Sequence, residues 1–183
     1  EIAAASTTRL PIVGVMGSGS APASQRAHQL GRWLATQNVH LLTGGGGGVM
    51  AAVSRAFYEV DHRAGLVIGV IPAAVQESGQ PKTGYPNPWV EIPICTHLAL
   101  SGSQGERPLS RNHINVLSSQ VIVALPGDLG TRAEVLLARK YQRPLVAWLR
   151  QADEIPDLPA SVRVENRFAA IQKFVTDHLG RSA

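Results

Sequence analysis

The chain has 183 residues, 44% hydrophobic and 16% charged, which is ordinary for a globular protein and enough for a sizeable core. Its net charge of +4 comes mostly from scattered Arg residues and only 5% of the chain is aromatic, which favours a phosphate-bearing small molecule over a nucleic acid. Cys95 is the only cysteine, the 6 histidines lack metal-ligand spacing, and no apolar run approaches a bilayer span, so no internal disulfide, metal, bound cofactor or membrane partner is expected.

In chain order, the opening EIAAASTTRL lacks a basic region followed by an apolar core and is expected to be a flexible segment over residues 1–10 rather than a secretion signal. It begins with Glu rather than Met, which implies preceding residues, and a cytoplasmic location is the expectation. PIVGVMGSG (11–19) reads as a buried strand running into a glycine loop, and residues 24–37 as a helix with Leu30, Trp33 and Leu34 on one face. A second strand (39–44), a glycine run and a helix (48–60) follow, then a third strand (66–73). Residues 74–89 are rich in Gly and Pro and read as a surface loop, in which Tyr85 and Trp89 either cover a pocket or simply pack. The fourth strand (90–98) contains Pro93, which belongs at a sheet edge or a bulge, and Cys95, read as a buried small hydrophobe. After a polar loop come a helix (109–119), a fifth strand (121–127), a helix (130–141), a sixth strand (144–149) and a closing amphipathic helix (164–179).

This alternation predicts βαβ units: a Rossmann-like doubly wound parallel sheet in an α/β/α sandwich, with residues 1–183 forming one nucleotide-binding domain. In such sheets ligands sit at the carboxyl ends of the strands. The glycine turns at 17–19, 44–48 and 127–130 all fall there and are expected along one rim.

Neither common phosphate motif is complete. Pro22 stands where a dinucleotide fingerprint needs its third glycine, and the second strand ends in Thr43 and Gly44 rather than an acidic residue. No Lys follows a glycine turn, so a P-loop is excluded. What remains is a general capability: glycine admits close approach of backbone N–H groups, and a helix N-terminus presents free donors. The expected phosphate or nucleotide contacts are Gly17, Ser18, Gly44, Gly45, Gly46, Gly47, Gly127, Asp128, Leu129, Gly130 and Thr131. Thr131 and Glu134 also spell T-x-x-E, a capping box that would occupy the glutamate with its own helix. Both readings stay open at this point.

PGDLGTRAE (126–134) resembles the PGGxGTxxE signature of the Lonely Guy (LOG) group, often mislabelled as lysine decarboxylases. The glycine run with its helix (44–57) and the placement of Arg111 fifteen positions before Pro126 are similar too. The resemblance implies a phosphoribohydrolase that cleaves a nucleoside 5′-monophosphate to free base and ribose 5-phosphate, with Glu134 at the ribose and Arg111 beside it as catalytic residues. It does not imply decarboxylation, because Lys82, Lys140 and Lys173 all lie away from the glycine turns. Two departures stand out: Asp128 replaces a signature glycine, and Asn112 replaces the lysine that follows the arginine. VGVMGSG, LLTGG and SRNHINVLSSQVIVA (110–124) are also similar to molybdenum cofactor carrier proteins, which bind an anionic pterin without turnover. Both relatives imply a homodimer or a higher homo-oligomer.

Overall fold

The computed structural model describes residues 9–180, so the expectation for the N-terminal ten residues falls, except at Arg9 and Leu10, outside the described chain. Seven strands form one sheet: β1 (Ile12–Met16), β2 (His40–Thr43), β3 (Val67–Ile71), β4 (Ile92–Cys95), β5 (Val121–Ala124), β6 (Leu145–Trp148) and β7 (Val164–Glu165). Their order is β4-β3-β2-β1-β5-β6-β7, and every pairing is parallel. The helices are α1 (Ser24–Ala35), α2 (Gly48–Tyr58), α3 (Asn112–Ser118), α4 (Leu129–Lys140) and α5 (Phe168–Leu179). The Rossmann-like three-layer fold is as the alternation predicts.

Side-chain alternation along the strands assigns the layers. Val13 and Val15 of β1, Leu41, Val121, Val123 and Val146 join Leu30 and Leu34 of α1, Phe57 of α2 and Ile171 of α5 in one core. Met16 and Ile122 point the other way, toward Val116 of α3 and Leu137 of α4. Helices α1, α2 and α5 therefore cover one face, and α3 and α4 the other.

Two expectations change. The closing helix starts at Phe168, because Val164 and Glu165 instead extend the sheet as β7 beside β6. Cys95 is exposed rather than buried: β4 is the edge strand and all four of its residues face solvent. Arg111 is buried at the N-cap of α3. Pro93 sits on the edge strand as expected, paired opposite Gly69. Among the described residues no helix is long and apolar enough to cross a membrane.

The chain leaves β1 toward β2 on one side and enters β5 on the other, so the topological switch point lies between the carboxyl ends of β1 and β5. There the Ser18 N–H donates to the Pro126 carbonyl at 3.1 Å, joining the two loops.

Candidate functional site

At this switch point α4 opens, and its first turn decides what Glu134 can do. Asp128 is the N-cap, in extended backbone, and its carboxylate accepts from the Gly130 N–H at 3.0 Å. Thr131 is therefore the third residue inside the helix, and the T-x-x-E capping box does not form. Glu134 instead turns toward α3, where Asn115 Nδ2 donates to its Oε1 at 2.9 Å. Asp128, the departure from the glycine signature, is thus the helix's own cap.

Arg111 reaches the same place from the start of α3. It is 4% exposed, Glu134 is 7% exposed, and both line a cavity of about 160 Å³ together with Gly17, Asp128, Gly130 and Thr131. The terminal edge of the guanidinium abuts Gly44, where an added Cβ would come within 2.6 Å of Nη2 and 2.8 Å of Cζ. Arg111 Nε and Nη1 are buried without a hydrogen-bond partner, as are Thr131 Oγ1 and Asn115 Oδ1. Buried donors on a charged group are costly to leave unmatched, and such groups concentrate where a ligand completes them. No ion pair closes between Arg111 and Glu134, although the guanidinium still acts on the carboxylate through space.

Burial pushes the Glu134 carboxyl above its ordinary value of 4.5. The Arg111 charge and the Asn115 hydrogen bond pull it down, Asp128 adds a further push up, and burial prevails. The folded protein thus holds this proton more tightly than the unfolded chain does. The associated stability is complete below about 4.5 and is lost as pH rises through the raised folded value. Glu134→Gln, which cannot ionise, is expected to exceed the parent in stability at pH 8 by on the order of 1 kcal/mol. The gap should close as the medium is acidified, and urea melts across this range measure it. A gap that does not change with pH would refute the assignment.

The sequence-predicted residues divide between two clefts. Gly17, Asp128, Gly130 and Thr131 line the Arg111 cavity, while Ser18, Gly127 and Asp128 line a larger cleft of about 660 Å³ beside the Arg26–Glu154 ion pair (3.1 Å). Leu129 lines neither and is exposed. The glycine run lies behind the cavity wall and makes room for side chains: Arg111 packs on Gly44, Ile71 on Gly45, and Tyr85 on Gly46. Gly127 similarly accommodates Thr131, whose Cβ would lie 2.6 Å from an added Cβ there. Near the first loop, the Ser18 hydroxyl accepts from the amides of Ser20 and Ala21 at 3.2 and 3.0 Å. Sequence reasoning missed Asn115, whose spacing of four from Arg111 places both on one face of α3. It also missed Lys82 in the cavity wall.

Residues 10–173 match the profile of the SLOG cluster4 family. The chain belongs to that family. Among solved structures, this SLOG cluster4 chain is 31% identical to the molybdenum cofactor binding protein from the phototrophic bacterium Rippkaea orientalis, covering 93% of this chain and 98% of that one with a TM-score of 0.70. It is 32% identical to the Moco carrier protein from Chlamydomonas reinhardtii, covering 92% and 99% with a TM-score of 0.66. An uncharacterized protein of Archaeoglobus fulgidus is 28% identical over 134 residues, 72% of this chain and 76% of that protein.

The SLOG cluster4 cavity sets a guanidinium beside a helix N-terminus whose Gly130 amide is claimed by Asp128. Asp128→Gly is therefore expected to cost the cap only a few tenths of a kcal/mol. It should raise phosphate affinity about tenfold by releasing the Gly130 amide and removing a like charge. Calorimetric titration with inorganic phosphate measures this, and unchanged affinity would refute it.

Proposed function

We infer that this chain is a non-catalytic carrier, within a single Rossmann-like domain, of a phosphate-bearing anionic ligand of the molybdenum cofactor type. The observation that carries this reading is Arg111, buried with Nε and Nη1 partnerless in the wall of the switch-point cavity. A guanidinium so placed matches a phosphate or another oxyanion. Burial biases the Glu134 carboxyl toward its neutral form. A neutral carboxyl does not repel an anion, so affinity should be highest below the Glu134 titration and fall as pH rises through it. The likeness to carrier proteins over nearly the whole chain supports the same reading.

A second reading, a LOG-like phosphoribohydrolase acting on AMP or N6-modified AMP, draws on one observation. Glu134 is held by Asn115 toward the Arg111 cavity instead of capping its own helix. One experiment separates the two. The protein is incubated with molybdenum cofactor and, separately, with AMP; retained cofactor is measured after gel filtration and free adenine by chromatography. The carrier reading expects retained cofactor and no adenine above background. Adenine release that disappears in Glu134→Gln would replace it with the hydrolase reading. Self-association belongs to both, and the exposed Ile92 and Ile94 of edge strand β4 offer apolar surface for it.

A further inference from the structure

The Arg111 cavity, at about 160 Å³, is smaller than the roughly 300 Å³ at which small-molecule pockets begin, so it takes an anionic head group and leaves the rest of a ligand at its mouth. Part of the cavity wall comes from the Gly- and Pro-rich loop after β3. Lys82 and Tyr85 both line the cavity from this loop, and they are the two ends of one β-turn. The Tyr85 N–H donates to the Lys82 carbonyl at 3.0 Å, and Gly84 supplies the positive φ (83°) that the turn requires.

The turn is tied down on both sides. The Lys82 N–H donates to the Pro72 carbonyl at 3.0 Å, at the end of β3. Beyond Tyr85, Asn87 fastens the loop to the glycine run: its N–H donates to the Gly45 carbonyl at 2.7 Å and its Nδ2 to the Gly46 carbonyl at 2.9 Å. Tyr85 seats its phenol on Gly46, where an added Cβ would fall within 2.7 Å of Cζ and Oη. The ring is half-buried, and Lys82 is exposed with no ion pair among the described residues. One turn thus sets a cation and an aromatic side chain in the wall of the cavity that holds the buried guanidinium.

We propose that the Lys82–Tyr85 turn is the specificity clamp of the cavity, selecting ligands that join an anionic group to a flat heteroaromatic ring. The anion enters toward Arg111 and is shared with Lys82, and the ring stays at the mouth against Tyr85. This rests on the carrier reading above and adds what distinguishes a pterin or purine ligand from a bare oxyanion.

The test is fluorescence titration of molybdopterin into the parent chain, Tyr85→Leu, Tyr85→Phe, Lys82→Gln and Arg111→Gln, with thermal melts confirming that each variant is folded. Tyr85→Leu is expected to weaken binding about tenfold while Tyr85→Phe stays near the parent, because the ring face acts and the hydroxyl does not. Lys82→Gln should weaken binding about fivefold and flatten its salt dependence. Inorganic phosphate, which has no ring, should bind Tyr85→Leu and the parent equally. Parental affinity in Tyr85→Leu, or equal losses in Tyr85→Leu and Tyr85→Phe, overturns the clamp while Arg111→Gln still tests the carrier reading. A parent chain that binds no molybdopterin, or an Arg111→Gln variant that binds it as the parent does, overturns the carrier reading and the clamp with it.

Discussion

Replacing Arg111 with glutamine is expected to lower affinity for molybdopterin and for AMP at least about a hundredfold, because charge-assisted bonds to a desolvated anion are each worth about 1.5–3 kcal/mol. The fold should survive this change, and its stability should rise. Arg111 is 4% exposed with two guanidinium nitrogens lacking partners, an arrangement that costs the ligand-free protein stability. Glutamine removes that buried charge. It also removes the attraction that pulls the Glu134 carboxyl down, so that group should titrate at still higher pH in the variant. Calorimetry gives the affinity, denaturant melts give the stability, and a pH series on Arg111→Gln with and without Glu134→Gln gives the coupling. Unchanged affinity would remove Arg111 from the binding site altogether.

Gly44→Ala should produce a large loss by an indirect route. Gly44 has an ordinary backbone conformation, so alanine brings no backbone strain, only a methyl group directed into the guanidinium. Arg111 is packed between this glycine and α3 and must move or the strand end must shift, at an expected cost of about 1–3 kcal/mol. Ligand affinity should fall together with stability, whereas Arg111→Gln separates the two. A double variant, Gly44→Ala with Arg111→Gln, should recover most of the lost stability because the obstructing group is gone. If the double variant is no more stable than Gly44→Ala alone, the contact is not the cause.

The architecture was legible in the residues because apolar alternation and turn chemistry agreed along most of the chain. The strand runs around Val13, Leu41, Val67, Val121 and Val146 are all buried, and the glycine turns fall at their carboxyl ends. β7 escaped notice because Val164 and Glu165 form only two residues next to a strong helical pattern, too short to show a period. Cys95 was misplaced because its apolar character was read apart from the edge that Pro93, two residues before it, signals.

The site was legible in outline. Arg111 and Glu134 come from different elements and meet in one cavity, and this follows from placing their motifs on a doubly wound sheet. The glycine run shows where such reading stops. Glycine reports that something approaches the backbone closely, and a ligand and a protein side chain leave the same mark in a sequence. At Gly44 and Gly46 the neighbours are Arg111 and Tyr85, each distant in the chain. The T-x-x-E spelling pointed to Thr131 as the cap of α4, whereas the helix begins at Leu129 and makes Asp128, itself a good cap, the N-cap.

The bond between the Ser18 amide and the Pro126 carbonyl stitches a seam where a doubly wound sheet ordinarily parts. With that seam shut, Asp128 is the residue that lines both the small and the large hollow. The exchange lifetime of the Ser18 amide in deuterated solvent therefore becomes a direct gauge of whether the two compartments ever merge.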